Sequence, residues 1–438
     1  MKVWKKSLLM LGAIIVLVVA TAAVYAGTVW NSTQISLKST YTQVGDDETL
    51  KATKPLTILL MGVDTGDNSR GGSTSWDGNS DSQIVLTLNP KTETATMVSM
   101  ERDTPTNILD ESGNVTGSVQ KMNAAYPLGY NNGSSSGGDA GGLSMGAQYA
   151  MQTIGQQAGV PIDNFVMVNF AGLINLVNDV GGVEVVNDTG GQDAYSATGL
   201  PGYPLGSIYI SNTEPEYTAV VPYIDGEPKQ LINGDQALVF ARDRDTLPNG
   251  DYGRAAHQRE VITQLAKKIL SFDNLSKYQT LLNDVSQDFK TNIEINSSTL
   301  QSLLAYKNCF KKIVSIQYQG VGEMWNGVSY QFMPQDVDLA VQNAMLKSLG
   351  KPTITTLNSN IITYEDEFGD SAPDYYLPSA TVTEGSKTTT YGINTDGSFV
   401  TITPDNAANY VSSTGGSVSA TTTSSSSTTS SSVATSGQ

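Results

Sequence analysis

The hydrophobic pattern begins with one long uncharged run. Residues 8–26 carry no charge, and at 1.5 Å per residue such a run crosses most of a hydrocarbon core about 30 Å thick. We interpret it as a single transmembrane helix. Three lysines precede it within residues 1–7, so the positive-inside rule predicts a cytoplasmic N-terminus and an extracytoplasmic body. A cleaved signal peptide is the alternative, because residues 24–26 resemble a small-residue cleavage site.

After a polar, aperiodic spacer at 27–54, the chain alternates between strand-like and helix-like patterns. A continuous apolar run at 56–63 predicts a strand buried on both faces, and Asp64 follows it directly. Further strands are predicted at 83–88, 95–100, 165–170 and 183–186, and helices at 143–157 and 254–269. Strands that alternate with helices predict an α/β fold whose sheet is covered on both faces.

The rest of the pattern separates a main domain at 55–350 from two C-terminal segments. Within the main domain, residues 188–229 are rich in Gly, Pro and Tyr, which is typical of a long surface insertion or lid. Helical patterns then continue to about residue 349. The extension at 351–411 is polar and β-like, and no role is assigned to it. Residues 412–438 are rich in Ser and Thr and cannot bury a core, so we expect them to be disordered.

Composition narrows the chemistry that this domain can perform. The formal charge of −17 and the pI near 4.4 oppose non-specific binding to nucleic acid, so no nucleic-acid partner is expected. A single cysteine, Cys309, excludes an intrachain disulfide, and its apolar surroundings predict a buried, inert thiol. A single histidine, His257, excludes a His-rich zinc centre. A hard cation held by carboxylates remains possible.

The arginines are concentrated in one short stretch. Of the six in the chain, four lie within 242–259, and the planar guanidinium suits bidentate recognition of phosphate. Arg242 and Arg244 have strand spacing, which predicts that both project to one face. Arg254 and Gln258 lie four apart at the start of a predicted helix, where free N–H groups favour anions. This spacing predicts a site for a diphosphate-sized anion. The alternative is an ordinary salt-bridged helix face, with three nearby aspartates as partners.

Two carboxylates lie at predicted strand edges. Asp64 follows the first strand, and Asp81 precedes the second. Oxygen ligands of this kind suit Mg²⁺, which usually keeps several waters and bridges to substrate phosphates. We therefore expect a metal site at this edge of the sheet.

Seven short motifs follow one another over about residues 55–345. They are Met61-Gly62-Val63-Asp64, Ser80-Asp81, SMERDT at 99–104, KMNAAY at 121–126, GGV at 181–183, ARDR at 241–244 and GDYGR at 250–254 with Gln258. Taken in this order, they resemble the motifs of the LytR-CpsA-Psr family. Each is weak alone, but the ordered set behind one predicted membrane helix is highly specific.

The resemblance implies an α/β/α sandwich with a central mixed sheet and an apolar pocket for a polyprenyl chain. It implies transfer of a glycopolymer, such as a teichoic acid or capsule, from a polyprenyl pyrophosphate carrier to peptidoglycan. The bond formed would be a phosphodiester to the 6-hydroxyl of N-acetylmuramic acid. The implied location is the outer face of the cell membrane, in a Gram-positive organism.

By match to the family motifs, each of these residues has an implied role. Asp64 and Asp81 would bind Mg²⁺ or Mn²⁺, and either could accept the proton of the acceptor hydroxyl. Asp103 would support Arg102 or the metal shell. The pyrophosphate would be held by Arg102, Lys121, Arg242, Arg244, Arg254 and Gln258.

The chain departs from the family pattern at three positions. Asn79 and His257 stand where members commonly have arginine, and Glu101 stands where they have proline. Loss of two cations could alter the acceptor or donor preference, or alternatively Arg70 and Arg259 compensate from neighbouring positions. His257 is expected on a solvated helix face. Two other functions stay open: a hydrolase that releases the lipid-linked phosphate to water, and a non-catalytic regulatory protein of the wall.

Overall fold

The computed structural model describes residues 41–44, 54–63, 76–117, 119–195, 197–210, 218–270, 287–293 and 306–412. Within these ranges, no helix combines the length and the apolar character that crossing a membrane requires. The membrane helix predicted at 8–26 and almost all of the Ser/Thr tract predicted to be disordered lie outside the described residues.

The strands of the described residues form one large sheet and three small ones. They are β1 (Leu56–Val63), β2 (Ser80–Asn89), β3 (Thr94–Ser99), β4 (Pro105–Thr106), β5 (Gln120–Lys121), β6 (Asn164–Val168), β7 (Val183–Val186), β8 (Lys229–Ile232), β9 (Phe289–Thr291), β10 (Lys312–Gln317), β11 (Val321–Trp325), β12 (Val328–Phe332), β13 (Ser379–Glu384), β14 (Lys387–Ile393) and β15 (Phe399–Thr401). The large sheet has nine strands in the order β15-β14-β13-β10-β3-β2-β1-β6-β9. It is mixed, because β1 runs parallel to β6 and β3 runs parallel to β10 while the other pairs are antiparallel.

Helices cover both faces of this sheet, as the pattern predicts. They are α1 (Ala125–Ala158), α2 (Phe170–Asp179), α3 (Gly234–Arg242), α4 (Gly250–Leu270), α5 (Gln335–Ser348) and α6 (Tyr364–Phe368). Ile58 and Leu60 of β1 pack in the core that contains Phe240 of α3 and Val261 of α4. The intervening Leu59 packs with α1 and α5 on the opposite face. The apolar run of β1 is therefore continuous because both faces are buried, and each such side chain contributes roughly 1.5 to 3 kcal/mol.

Helix α1 is longer than the predicted helix at 143–157 and contains a sharp reversal. Gly138 has φ 60° and ψ −155°, which breaks the helix into two segments. The segments approach so closely that a Cβ on Gly133 would lie 2.2 Å from the carbonyl oxygen of Gly141. The first segment was missed because its Gly- and Ser-rich sequence has low helix propensity, and close packing between the segments decides its conformation.

Two local predictions are wrong. Arg242 ends helix α3 rather than a strand, and the helix starts at a capping box formed by Asn233 and Gln236. The helical patterns expected up to residue 349 are interrupted by β9 to β12, with α5 the helix that follows them. Short half-buried strands give a weak period-2 signal, and the sheet positions that they occupy are set by long-range pairing.

The C-terminal extension at 351–411 supplies strands to the large sheet. Strand β13 pairs with β10 in antiparallel register from Ser379↔Gln317 to Glu384↔Lys312, and β14 and β15 follow outward. The β-like pattern predicted there is confirmed. Its first strand covers the edge that β10 would otherwise expose, so the extension completes the sheet.

Candidate functional site

A cavity opens between the large sheet and helices α2, α3 and α4. Its volume is about 350 Å³. Its interior is lined by apolar side chains, among them Leu60, Val166, Leu173, Leu176, Val261 and Leu265. Its mouth is lined by Asp81, Arg102, Arg242, Arg244, Arg254 and Gln258. The cavity therefore combines an apolar interior with a highly charged opening.

The mouth assembles where separate elements end on one side of the sheet. Asp81 is the second residue of β2, and its neighbour Ser80 pairs with Val63 at the end of β1. Arg242 is the last residue of α3, and Arg254 lies in the first turns of α4. Sequence reasoning proposed this convergence. Asp64, which follows Val63, and Arg70 lie outside the described residues.

Arg102 is held at the mouth by carboxylates on two sides. Its Nη1 lies 3.2 Å from Asp81 Oδ2, and its Nε lies 3.6 Å from Asp103 Oδ2. Asn123 donates to the other Asp81 oxygen at 2.9 Å. Burial on its own would lower the pKa of Arg102, but Asp81, Asp251 and Asp103 raise it, so the guanidinium stays charged. The expected support of Arg102 by Asp103 is thus present.

Lys121 stands one carboxylate away from Arg102. Its Nζ lies 2.9 Å from Asp103 Oδ1 and 5.8 Å from the ring centre of Tyr330. Lys121 does not line the cavity. Asp103 nevertheless links it to Arg102, and Arg102 does line the cavity. Lys121 therefore belongs to the outer edge of the cationic group.

Asp251 joins the two arginines of the loop and helix. Its Oδ1 lies 2.6 Å from Arg254 Nη2, and its Oδ2 lies 3.7 Å from Arg244 Nη1. Burial lowers the pKa of Arg254, and Arg102 lowers it further, while Asp251 raises it. The ion pairs of the salt-bridged alternative are therefore present. The same arginines also line the cavity, which an ordinary helix surface would not do.

Gln258 connects three elements at the mouth. It accepts a hydrogen bond from Ser82 Oγ at 2.9 Å and donates one to the Ala241 carbonyl at 3.1 Å. It thereby fixes the end of α3, and with it Arg242, against β2. The Arg242 guanidinium lies 4.2 Å from the ring centre of Phe170, the first residue of α2. Sequence reasoning missed Ser82, Asn123 and Phe170, whose partners lie far away in the chain.

Glu101 lies beneath this charged group and is 7% exposed. Burial raises its pKa to about 7, and the neighbouring charge of Asp251 adds to the shift. Its backbone N–H donates to the Tyr318 hydroxyl at 3.0 Å, a bond that a proline could not make. The departure from the family pattern thus adds both a titratable carboxyl and a tertiary hydrogen bond.

Two predictions about single residues of α4 need correction. His257 is 2% exposed, not solvated, and its ring stacks on Phe240 with centroids 3.8 Å apart. Arg259 is 4% exposed and donates to Ser99, Ser315 and Gln317, so it does not line the cavity and cannot compensate there for a lost cation. Both errors arise because helical spacing does not tell which flank of α4 meets the sheet. Cys309 is buried as predicted, and burial raises the pKa of its thiol to about 12.

The oxygen atoms near Asp81 are of the kind that binds hard divalent cations. Asp81 is 39% exposed at the mouth, and Ser80 Oγ beside it is buried without a hydrogen-bond partner among the described residues. In the part of the chain that the structure describes, no three His, Cys, Asp or Glu side chains are grouped to hold a metal. Asp64 is the second predicted ligand, so the described residues contain half of the predicted pair.

Comparison with known proteins adds independent information. Biofilm regulatory protein A from Streptococcus mutans is 36% identical over 382 residues, which cover 86% of this chain and 85% of that protein. The polyisoprenyl-teichoic acid–peptidoglycan teichoic acid transferase TagU from Enterococcus faecalis is 33% identical over 342 residues, 77% of this chain and 95% of that protein.

A solved structure and a family model agree with these relatives. The crystal structure of protein gbs0355 from Streptococcus agalactiae has a TM-score of 0.60 and 40% identity, and the match covers 74% of this chain and 97% of that one. The model of the LytR_cpsA_psr family matches residues 23–347, which contain the whole charged mouth of the cavity. The chain therefore belongs to the LytR-CpsA-Psr family.

Proposed function

We propose that this protein transfers a glycopolymer from a polyprenyl pyrophosphate carrier to peptidoglycan. The product is a phosphodiester to the 6-hydroxyl of N-acetylmuramic acid, and the glycopolymer is a teichoic acid, capsule or related polysaccharide. Family membership and the transferase relative from Enterococcus faecalis support an enzyme of this class. We further propose that it acts at the outer face of a Gram-positive membrane, with the helix predicted at 8–26 as its anchor.

The observation that carries the proposal is the joining of two opposite environments in one cavity. The interior is apolar, whereas the mouth holds Arg102, Arg242, Arg244 and Arg254. A polyprenyl pyrophosphate has the same division, because a hydrocarbon chain ends in a diphosphate. The hydrocarbon is stabilised by burial, and the diphosphate by charge-assisted hydrogen bonds from guanidinium groups. A water-soluble nucleotide would leave the apolar interior unfilled.

The reaction is a phosphoryl transfer that needs little covalent chemistry from the protein. The acceptor 6-oxygen forms a bond to the phosphorus that carries the glycan, and the bond between this phosphorus and the bridging oxygen breaks. Polyprenyl phosphate leaves with the bridging oxygen. Arg102 and Arg254 stabilise the charge that develops on the phosphoryl oxygens, while Arg242, fixed by Phe170, orients the diphosphate.

The hydroxyl proton must reach a base as the new bond forms. Asp81 lies at the mouth with both oxygens in polar contacts, and we propose that Asp81 or Asp64 accepts the proton. These two carboxylates would also hold Mg²⁺ or Mn²⁺. The ion supplies charge neutralisation for the diphosphate when it is bound.

The test uses the full-length chain in detergent with a lipid-pyrophosphate-linked saccharide, Mg²⁺ and peptidoglycan fragments. Saccharide linked by a phosphodiester to the glycan fragment is the expected product. If lipid phosphate and saccharide phosphate form equally well without peptidoglycan fragments, the protein is a hydrolase and not a transferase. Absence of all these products would favour a non-catalytic role, in keeping with the name of the Streptococcus mutans relative.

A further inference from the structure

His257 lies on α4 between Arg254 and Gln258, which line the cavity, but does not itself line it. Arg254 precedes it by one turn, and Gln258 follows it directly. Its ring is 2% exposed and stacks on Phe240 at an interplanar angle of 12°. A polar ring in such a place needs partners for both nitrogens, because a buried nitrogen without a hydrogen bond destabilises the folded state.

Both ring nitrogens face oxygen atoms that accept hydrogen bonds. Nδ1 lies 3.2 Å from the carbonyl oxygen of Phe240, and Nε2 lies 3.1 Å from Asp188 Oδ1. A carbonyl oxygen cannot donate, so Nδ1 must carry a hydrogen. A carboxylate cannot donate either, so Nε2 must carry another. A ring with both hydrogens is an imidazolium, and an imidazolium in this place would form an ion pair with Asp188.

Other carboxylates on the surrounding elements already have partners. Glu184 on β7 pairs with Lys229, and Asp243 after α3 accepts from the Thr246 hydroxyl. Glu260 on α4 accepts from the backbone N–H of Val186. Asp188 is thus the carboxylate that the described residues place against the ring.

Asp188 lies at the start of the insertion between β7 and β8, and the residues on either side of it hold this insertion in place. Asn187 and Thr189, on either side of it, are buried and both donate to the carbonyl of Gly206. Gly206 needs its φ of +86°, and a Cβ there would lie 2.7 Å from the Cα of Gly191. The chain then pairs through Ile208 and Val221 and places Ile210 on the wall of the cavity.

We infer that His257 is a positioning residue that, as an imidazolium, connects the insertion to the helix carrying Arg254 and Gln258. The ion pair fixes Asp188, and through Asn187 and Thr189 it fixes the segment that ends at Ile210 on the cavity wall. The cation at this position therefore has a structural role and does not itself contact the proposed anion site. The charge state of the ring does not depend on the proposed function. The effect on turnover does rest on the proposed function.

Nuclear magnetic resonance tests the charge state directly, because His257 is the only histidine in the chain. With ¹⁵N-labelled histidine in the full-length protein at about pH 6.5, two ring N–H resonances are expected. Asp188→Asn should remove or strongly shift the Nε2–H resonance. The matched control is Asp193→Asn in the same insertion, whose carboxylate contacts Tyr195 and Tyr209 instead and should leave both resonances in place. A single N–H resonance in the unaltered protein would overturn the inference.

Turnover tests the positioning role with a pair of variants. His257→Arg keeps a cation and is expected to retain the donor KM within about threefold, whereas the neutral His257→Gln should raise it roughly tenfold with a smaller change in kcat. Circular dichroism verifies that both variants fold. Equal KM values in folded Arg and Gln variants would refute the need for a cation. If the unaltered protein transfers nothing, the proposed function fails, but the resonance experiment still decides the charge state.

Discussion

Arg254 and Arg259 lie on the same helix, yet one lines the cavity mouth and the other is buried against the sheet. Arg254 Nη2 is 2.6 Å from Asp251 Oδ1, and the arginine side chain is 12% exposed. Arg259 donates to Ser99 on β3 and to Ser315 and Gln317 on β10. Burial lowers its pKa to about 10, which still leaves it charged. The first arginine is available to an anion, and the second holds the helix on the sheet.

Arg254→Ala is expected to abolish transfer while leaving the fold intact. The substitution removes a guanidinium from the place where phosphoryl charge develops, so turnover should fall by about 100- to 1,000-fold. Arg242→Ala should act in the same direction. Turnover is measured with the lipid-linked donor, and Lys312→Ala, which breaks a remote surface pair with Glu384, is the control. Unchanged turnover in both arginine variants would remove the site assignment.

Arg259→Ala should reduce stability first and activity only as a consequence. It leaves polar groups on Ser99, Ser315 and Gln317 without their partner inside the protein. The free energy of unfolding is expected to fall by at least about 2 kcal/mol, since each unsatisfied buried group costs about 1 to 3 kcal/mol. Urea unfolding of this variant beside Arg254→Ala makes the comparison. A midpoint equal to that of the unaltered protein would contradict the anchoring role.

Ile262→Trp should discriminate between donors by the length of their lipid. Ile262 lines the cavity, so a larger ring there reduces the space for hydrocarbon. The KM for a long polyprenyl donor is expected to rise roughly tenfold, while that for a donor with a very short chain changes little. Leu231→Trp, at a position 63% exposed, serves as the control. A uniform effect on both donors would argue against lipid in the cavity.

Removal of divalent cations should stop transfer. Treatment with a chelator is expected to abolish turnover, and added Mg²⁺ or Mn²⁺ to restore it. Asp81→Asn should require at least about tenfold more metal for half-maximal activity, because it weakens one proposed ligand. Titration of activity against free Mg²⁺ measures this. Turnover that survives complete chelation would eliminate the metal from the proposal.

Asp338→Asn should make the protein more stable at alkaline pH. Asp338 is 3% exposed, and burial raises its pKa from 3.8 to about 8. Between these values the folded state holds a proton that the unfolded state has released, so stability is lost as the pH rises through this window. The variant cannot ionise and keeps an oxygen for Gln157, so its advantage should grow to roughly 1 to 3 kcal/mol above about pH 8.

Urea unfolding between acidic and alkaline pH measures the effect of Asp338→Asn. Asp336→Asn, on the same helix, is the matched control, because its carboxylate accepts from Tyr375 near the surface. The two variants should diverge as the pH rises. Parallel stability curves for Asp338→Asn and the unaltered protein would show that this carboxyl does not control the pH dependence.

Sequence reasoning succeeded where the signal is local. Strand β1 coincides with the predicted 56–63, because a continuous apolar run between turn residues has few other solutions. The four-residue spacing of Arg254 and Gln258 correctly placed both on one helical face at the mouth. The order of short motifs identified the family without any structure.

The sequence by itself determined the β1 strand, the helix that carries Arg254 and the family, because periodicity and motif order are written in neighbouring residues. Only the tertiary structure decided that Arg242 ends a helix, that His257 and Arg259 point inward, and that residues 351–411 complete the sheet. Each of these depends on which face of an element meets another element far away in the chain. Whether a side chain is buried depends on this packing between distant elements. No local pattern around Arg259 tells whether its side chain is buried against the sheet or lines the cavity.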